Sequence, residues 1–502
     1  MDELNTLSRA LLDARHYETN QSAFIMPEDR PAFHLSPRVG WMNDPNGFSF
    51  YNGRYHLFYQ YHPYDSHWGP MHWGHAVSSD LLHWEYLPAA LAPDMPYDYG
   101  GCFSGTALTL PDGRHALMYT GVADKITRHG GRQQVQTQNL AFGDGLNYAK
   151  FPGNPVITAE DLPAGASDEH FRDPKLWQEP DGRYRCVIAS RDNEGGGQVL
   201  LYESEDLVSW RLIRKAAENH NRLGLMWECP DLFRLDGQDV LLVSAQDMLP
   251  QGFEYHNGDG VFCLIGTFDP ESGEFRERAN QAVDYGIDFY APQTILTPDG
   301  RRVMVGWLMN WDTCNQHYRN YPWFGQMSLP RELFLKNGRL YQQPVRELAQ
   351  YRSGKTTYEN VLLDGEKTLE GIEGRVAELN IRVRPADPDN PFRNFVMYFA
   401  RNEKYHSILS YRPHESWLQI DRKFSGSRRA YIHQRRCLVP DRHGEIRLHV
   451  ILDRFSVEVF INDGEQVMTA TILTGSDARG ISFETDGKAV MDITKYALFD
   501  GV

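Results

Sequence analysis

Three carboxylates in this 502-residue chain sit where chemistry could be done: Asp44 in "WMNDPNG", Asp173 in "HFRDPKLW" and Glu228 in "GLMWECPDLF". Two have an ordinary explanation. Asp44 can bond its own backbone in a turn built of Asn, Asp, Pro, Asn and Gly, and Asp173 can form a surface ion pair with Arg172. Their neighbours argue for more. Trp41 precedes Asp44, and "FYQYHPYDSHWGPMHWGH" follows with a density of aromatic and hydrogen-bonding side chains unlike a solvated loop. The Arg172 guanidinium would hold Asp173 ionised and offer fork-shaped donors to hydroxyl groups. Glu228 lies among Met226, Trp227, Cys229, Leu232 and Phe233; an apolar setting disfavours a charged carboxylate and suits a proton donor. One carboxylate kept ionised and one kept protonated is the requirement for breaking a glycosidic bond through an oxocarbenium-like state, with aromatic rings stacking on the sugar.

Other chemistries find no support in the motifs. There is no P-loop, and "EGGGQ" from Glu194 is a glycine turn without the Lys-Ser/Thr of a phosphate site. No serine nucleophile elbow of the GxSxG type occurs. His62, His67, His72 and His75 match no zinc spacing, and the six scattered cysteines form no CxxC pair. We therefore expect no metal and no cofactor. A formal charge of −16 argues against nucleic acid or an anionic membrane as a partner and favours a neutral small molecule. The first residues, "MDELNTLSRALLDARHYETN", are acidic and interrupted by charge, and no apolar run reaches the length of a membrane span. With scattered cysteines, this points to a cytoplasmic protein.

The elements that must position the carboxylates are short β-type runs between Gly, Pro, Asn and Asp turns, such as "RYHLFYQY", "HALMYTGV", "QVLLYES" and "RVMVGWL". Leu4, Leu7 and Leu11 recur at helical spacing, so residues 1–30 read as a helical leader packed against the body. "SSDLLHWEYL" from Ser78 resembles "SEDLVSWRLI" from Ser204, a weak internal repeat of the kind that builds propeller blades. A polar stretch near residues 346–360 marks a boundary, and beyond it "SVEVFINDGE" alternates Val457, Val459 and Ile461 against Glu458 and Phe460 before an Asn462-Asp463-Gly464 turn. The chain is read as all-β, with a second antiparallel domain, most simply a sandwich.

The three blocks "WMNDPNG", "FRDPK" and "WECPD", in that order, resemble the signatures of glycoside hydrolase family 32, the invertases, sucrose-6-phosphate hydrolases, inulinases and levanases. "FYQYHP", "WGHAVSSDLLHW", "GCFSGTA", "FYAPQT" and "SVEVFINDGE" extend the likeness from about residue 30 to the end. The resemblance implies a five-bladed β-propeller over residues 31–347 followed by a β-sandwich over 348–502. It implies that Asp44 attacks the anomeric carbon of a β-fructofuranosyl unit, that Glu228 protonates the leaving oxygen and later activates water, and that Asp173 stabilises the transition state, with retention of configuration. Matching also places Asn43, Gln60, Trp68, Phe103, Ser104 and Arg172 in the fructose pocket, with Tyr290 of "FYAP" and Trp307 of "VGWL" joining on shorter motifs.

The expected partner is a small β-fructoside: sucrose, sucrose-6-phosphate or a short fructo-oligosaccharide. An exo-acting inulin-type fructan hydrolase, an inverting arabinan-type hydrolase and a non-catalytic fructan-binding protein stand as alternatives, and fructosyl transfer as a side reaction. The segment Asp124 to Gln138 is expected to shape the leaving-group side, where Lys125, Arg128, His129 and Arg132 are the basic residues that could meet a phosphate. Oligomeric state is left open.

Overall fold

A computed structural model describes residues 7–127, 130–194, 196–314, 322–426 and 432–499. Leu4, Arg128 and His129 thus lie outside the described residues. Beyond the helix Arg9–Ser22 and a few 3-10 turns, the chain is built of strands. The helix starts where the Ser8 hydroxyl accepts the Leu11 N–H at 3.1 Å, satisfying one of the donors a helix leaves open at its start. Leu11, Ala14 and Glu18 form its buried face, and Glu18 accepts the Ala89 N–H at 3.0 Å. The leader thus carries a docked helix, but of the leucines whose spacing suggested one only Leu11 lies within it, and Leu7 precedes its cap. Among the described residues no helix is long and apolar enough to cross a membrane.

Five antiparallel sheets follow, each with a long inner strand: Gly40–Tyr51, Gly101–Thr109, Ala166–Gln178, Met226–Leu235 and Tyr290–Leu296. The inner strands touch one another in sequence order, and the fifth touches the first, so the sheets close into a five-bladed propeller. Blade faces stack on neighbours, which explains why second and third strands such as Gly197–Ser204 are buried on both faces and read as continuous apolar runs. Outermost strands such as Phe275–Ala282, "FRERANQA", carry the charge. Between the second and third strands of the last blade the chain detours so that Trp323–Phe324 pairs in parallel with Gly40–Trp41, linking the last blade to the first. The sequence repeat is a structural one: Asp80 and Asp206 each cap the turn before an outermost strand, accepting N–H groups of the residues two and three ahead at 2.7–3.0 Å, and Leu81 and Leu207 both take a φ of 70°.

The C-terminal sheets share the strand Gly480–Leu498. Its first half pairs with Asn394–Arg401, its second half with Ala377–Pro385, and Arg352–Lys367 runs along its other edge. The result is a nearly closed sandwich. In Ser456–Ile461 the alternation serves two interiors: Val457, Val459 and Ile461 enter the sandwich core, whereas Phe460 packs in the cluster beneath the first blade. Gly464, at a φ of 88° in the following turn, lies so close to the propeller that a Cβ there would meet the Gln342 carbonyl oxygen at 1.8 Å.

Glu458 anchors a buried ionic network between propeller and sandwich. It pairs with Arg331 at 2.5 Å and with His34 at 2.9 Å, while Asp453 holds the other nitrogen of His34 at 2.8 Å. Burial alone would drive the His34 imidazole toward neutrality, but its bonds to Asp453 and Glu458 outweigh that and raise its pKa to about 9. A raised folded-state pKa contributes stability that is complete below the ordinary histidine value and lost as pH climbs through about 9. His34→Gln, which leaves buried Asp453 without its cation and Glu458 with Arg331 alone, is expected to cost about 3–5 kcal/mol at pH 7. In thermal unfolding, the wild type should lose stability between pH 7 and 10 and the variant should be flatter over the same range; parallel curves would refute the assignment.

Candidate active site

Each inner strand carries one extra residue at the same height. The register with the neighbouring strand slips between Met42 and Pro45, Phe103 and Gly105, Arg172 and Lys175, Glu228 and Asp231, and Tyr290 and Gln293. These bulges bend the strand and re-aim side chains. Four contain proline, in Asp44-Pro45, Asp173-Pro174, Cys229-Pro230 and Ala291-Pro292, which cannot donate to a ladder and is tolerated where pairing is already broken. Asp173, Cys229 and Ala291 take φ values of 63°, 48° and 50°, a left-handed backbone that turns the chain at those points. The five bulges ring one end of the propeller axis and frame a cavity of about 290 Å³.

The cavity is lined by Asn43, Asp44, Gln60, Trp68, Phe103, Ser104, Arg172, Asp173 and Glu228, so nine of the residues expected from sequence meet in one place. Asp44 is held by three side chains. Ser104 Oγ donates to its Oδ2 at 2.7 Å, Asn43 Nδ2 to its Oδ1 at 3.0 Å, and Cys229 Sγ approaches at 3.6 Å. Asn43 is itself fixed by the Trp41 indole N–H at 2.7 Å. Burial and the nearby Glu228 charge raise the Asp44 pKa to about 6 against the pull of those donors. Asp173 accepts the Cys229 N–H at 3.1 Å, so Cys229 touches both aspartates.

The electrostatic settings differ from those expected. Arg172 was expected to serve Asp173, but it stands 3.9 Å from that carboxylate and directs Nε and Nη2 at Glu228 Oε1, at 2.9 and 2.8 Å. Successive residues on a strand point to opposite sides, so Arg172 reaches across to the next blade. Burial raises the Asp173 pKa; Arg172 lowers it, and Glu228 and Asp44 push it further up. Glu228 is not in an apolar setting either. Gln246 Nε2 donates to its Oε2 at 3.0 Å and the Tyr290 hydroxyl at 2.7 Å, so three side chains orient it. Tyr290 acts from behind Glu228, outside the cavity lining. Trp307 is not a pocket residue: it is wholly buried, packing against Trp41 and Trp311.

Six lining residues escaped the motifs: Gln134, Gln136, Glu169, His170, Gln246 and Trp311. Gln134 and Gln136 belong to the segment expected to shape the leaving-group side. The recurring X-Pro dipeptide would have aligned Asn43 with Arg172, Glu228 and Tyr290; nothing in sequence marks Gln246, near the end of its strand, or Trp311, in a turn beyond one. Of the basic residues expected near a phosphate, Lys125 is engaged by Asp168, and Arg132 is exposed, 3.8 Å from Asp124. His170 is driven down to about 4, first by burial and then by Arg172 and Arg191, and is neutral at pH 7.

The chain is similar in sequence and in fold to proteins of known activity. It is 38% identical over 470 residues to a raffinose invertase of Escherichia coli, covering 92% of this chain and 93% of that one. It is 36% identical over 475 residues to a sucrose-6-phosphate hydrolase of Escherichia coli, at 92% and 93% coverage. Its fold superposes on a Bombyx mori GH32 β-fructofuranosidase mutant in complex with sucrose with a TM-score of 0.80 and 33% identity, over 98% of this chain and 99% of that one. The Glycosyl hydrolases family 32 N-terminal domain matches residues 34–344 and the family 32 C-terminal domain matches residues 347–498. The two domain models together span the propeller and the sandwich, so the chain belongs to glycosyl hydrolase family 32 and is a glycoside hydrolase.

Proposed function

We propose that the protein hydrolyses the terminal β-D-fructofuranosyl unit of sucrose-type substrates with retention of configuration. The observation that carries the reading is the convergence of Asp44, Asp173 and Glu228 from three different blades onto one cavity. Asp44 is the nucleophile: its carboxylate attacks the anomeric carbon while Ser104 and Asn43 hold its oxygens in line. Glu228, oriented by Tyr290 and Gln246, gives its proton to the departing oxygen and then draws one from water, which releases fructose. Asp173 and Arg172 hold fructose hydroxyls in the transition state. Gln60, Trp68 and Phe103 complete the fructosyl pocket, and Trp68, half-exposed at its rim, offers a face to the leaving sugar.

A neutral leaving sugar suits the far side best. Gln134, Gln136 and Gln246 offer amides there, His170 is uncharged at pH 7, and Glu169, the carboxylate on that side among the described residues, would repel a phosphate. The sucrose-6-phosphate hydrolase relatives keep a phosphorylated sugar as the second reading. The kcat/KM ratios for sucrose, raffinose, sucrose-6-phosphate, kestose and inulin decide it, because they report differential transition-state binding. Sucrose and raffinose are expected to lead, with fructose appearing first as the β-anomer by NMR. Preference for sucrose-6-phosphate would reverse the substrate reading; no hydrolysis of any β-fructoside would remove the function altogether.

A further inference from the structure

Downstream of their bulges the inner strands run on along the axis, and at the opposite end of the propeller they enclose a second cavity of about 690 Å³. All five contribute to it, through residues such as Phe50, Thr109, Lys175, Phe233 and Leu296. Three ionisable groups gather there around Thr294. Lys175 Nζ donates to the Thr294 carbonyl at 2.8 Å and pairs with Asp231 at 3.0 Å, while the Thr294 N–H donates to Asp231 at 2.7 Å. Lys175 and Asp231 therefore neutralise each other. The third group is Arg302, whose guanidinium lies 4.7 Å from the centre of the Phe233 ring and reaches only the Thr294 hydroxyl, at 3.4 Å. Among the described residues no carboxylate pairs with Arg302, and its Nε is buried without a hydrogen-bond partner.

Arg302 is half-buried with no carboxylate in contact, and Asp231, whose charge acts on it from a distance, is already bonded to Lys175; a guanidinium so placed is normally paired directly. Here the lining of a large cavity leaves room for the missing charge. A planar fork of N–H donors matches the spacing of oxyanion oxygens, and Lys175, its charge already balanced by Asp231, stands beside it as a further N–H donor. We propose that this far mouth of the propeller axis binds a compact oxyanion, a phosphoryl or sulfate group, through Arg302 with Lys175 alongside. The cavity volume exceeds what a free ion needs, so the group could be carried by a sugar phosphate, whose ring would meet Trp177, Phe233 and Phe268.

Calorimetric titration of the full chain at constant ionic strength tests this, with inorganic phosphate, glucose 6-phosphate and unphosphorylated glucose as separate arms. Saturable phosphate binding is expected in the wild type, unchanged by saturating fructose, and weaker by at least about tenfold in Arg302→Met, whose stem keeps the contact with Phe233. Tighter binding of glucose 6-phosphate than of phosphate would identify a sugar phosphate as the ligand; equal affinities would identify the free ion. Either supports the site, with the variant's melting temperature in phosphate-free buffer checking that it folds. Absence of saturable phosphate binding, equal affinity in the variant, or displacement by fructose would each overturn it. A selenate soak of wild-type crystals gives a test independent of any variant: anomalous density at Arg302 supports the proposal, and density confined to Arg172 or absent altogether refutes it.

Discussion

Asp44→Asn should abolish turnover and at the same time stabilise the protein at neutral pH. Loss of the attacking carboxylate is expected to lower kcat on the order of 10⁴-fold, the scale seen when a nucleophile is removed and binding groups remain. The stability gain follows from the Asp44 pKa of about 6. A carboxyl group raised in the folded state costs nothing below its unfolded value near 4, and the cost of ionising it grows until about pH 6 and then stays constant. Two units correspond to about 3 kcal/mol as an upper limit. Asp44 faces an open cavity, and the amide cannot accept from all three of its donors, so about 1–2 kcal/mol is the expected gain. Melting curves should therefore put the variant above the wild type at pH 7.5 and level with it at pH 4. A variant less stable at both pH values would contradict the electrostatic account, and substantial residual turnover would remove Asp44 from the nucleophile role. The same group predicts an acid limb of wild-type kcat/KM near pH 6, reported as an apparent value because the three carboxylates titrate together.

Glu228→Gln should separate bond-breaking by leaving group. The amide keeps the shape and still accepts from Arg172, whose contact distances are 2.9 and 2.8 Å, so the site stays assembled. What it removes is the proton for the departing oxygen, worth roughly 10²–10⁴-fold in rate. Hydrolysis of sucrose, whose leaving alkoxide needs that proton, should fall by about 10³-fold. An aryl β-fructofuranoside needs little protonation and should give a rapid burst of phenol followed by slow turnover, because the second step still lacks its base. Equal losses for both substrates, without a burst, would mean that Glu228 positions Arg172 and does not transfer the proton.

These roles were legible in the chain to unequal degrees. Asp44, Asp173 and Glu228 stood out because turn residues and aromatics around a carboxylate are hard to explain as solvated loop, and the propeller was foreshadowed by strand runs punctuated by turns. Four of the five bulges were written in the sequence as X-Pro dipeptides, yet their use became clear only when the five inner strands were seen to carry bulges at one height. The misreadings have a common cause. Arg172 adjoins Asp173 in sequence, but neighbouring residues on a strand diverge, so the guanidinium went to Glu228 on the next blade. Glu228 is flanked by Met226, Trp227 and Cys229, but its carboxylate reaches past them to Gln246 and Tyr290. Trp307 looked like a pocket aromatic and serves as packing behind Trp41.

By itself, then, the sequence determined the elements and the residue types at the site, since turn chemistry, strand alternation and proline placement act over a few residues. Which charge faces which was set in three dimensions: Arg172 holds Glu228, Asp44 rests on Ser104, His34 bridges Asp453 and Glu458, and among the described residues no carboxylate pairs with Arg302. Those pairings join residues from different blades or domains, and electrostatic energy depends on distance through space and on burial, neither of which local sequence specifies.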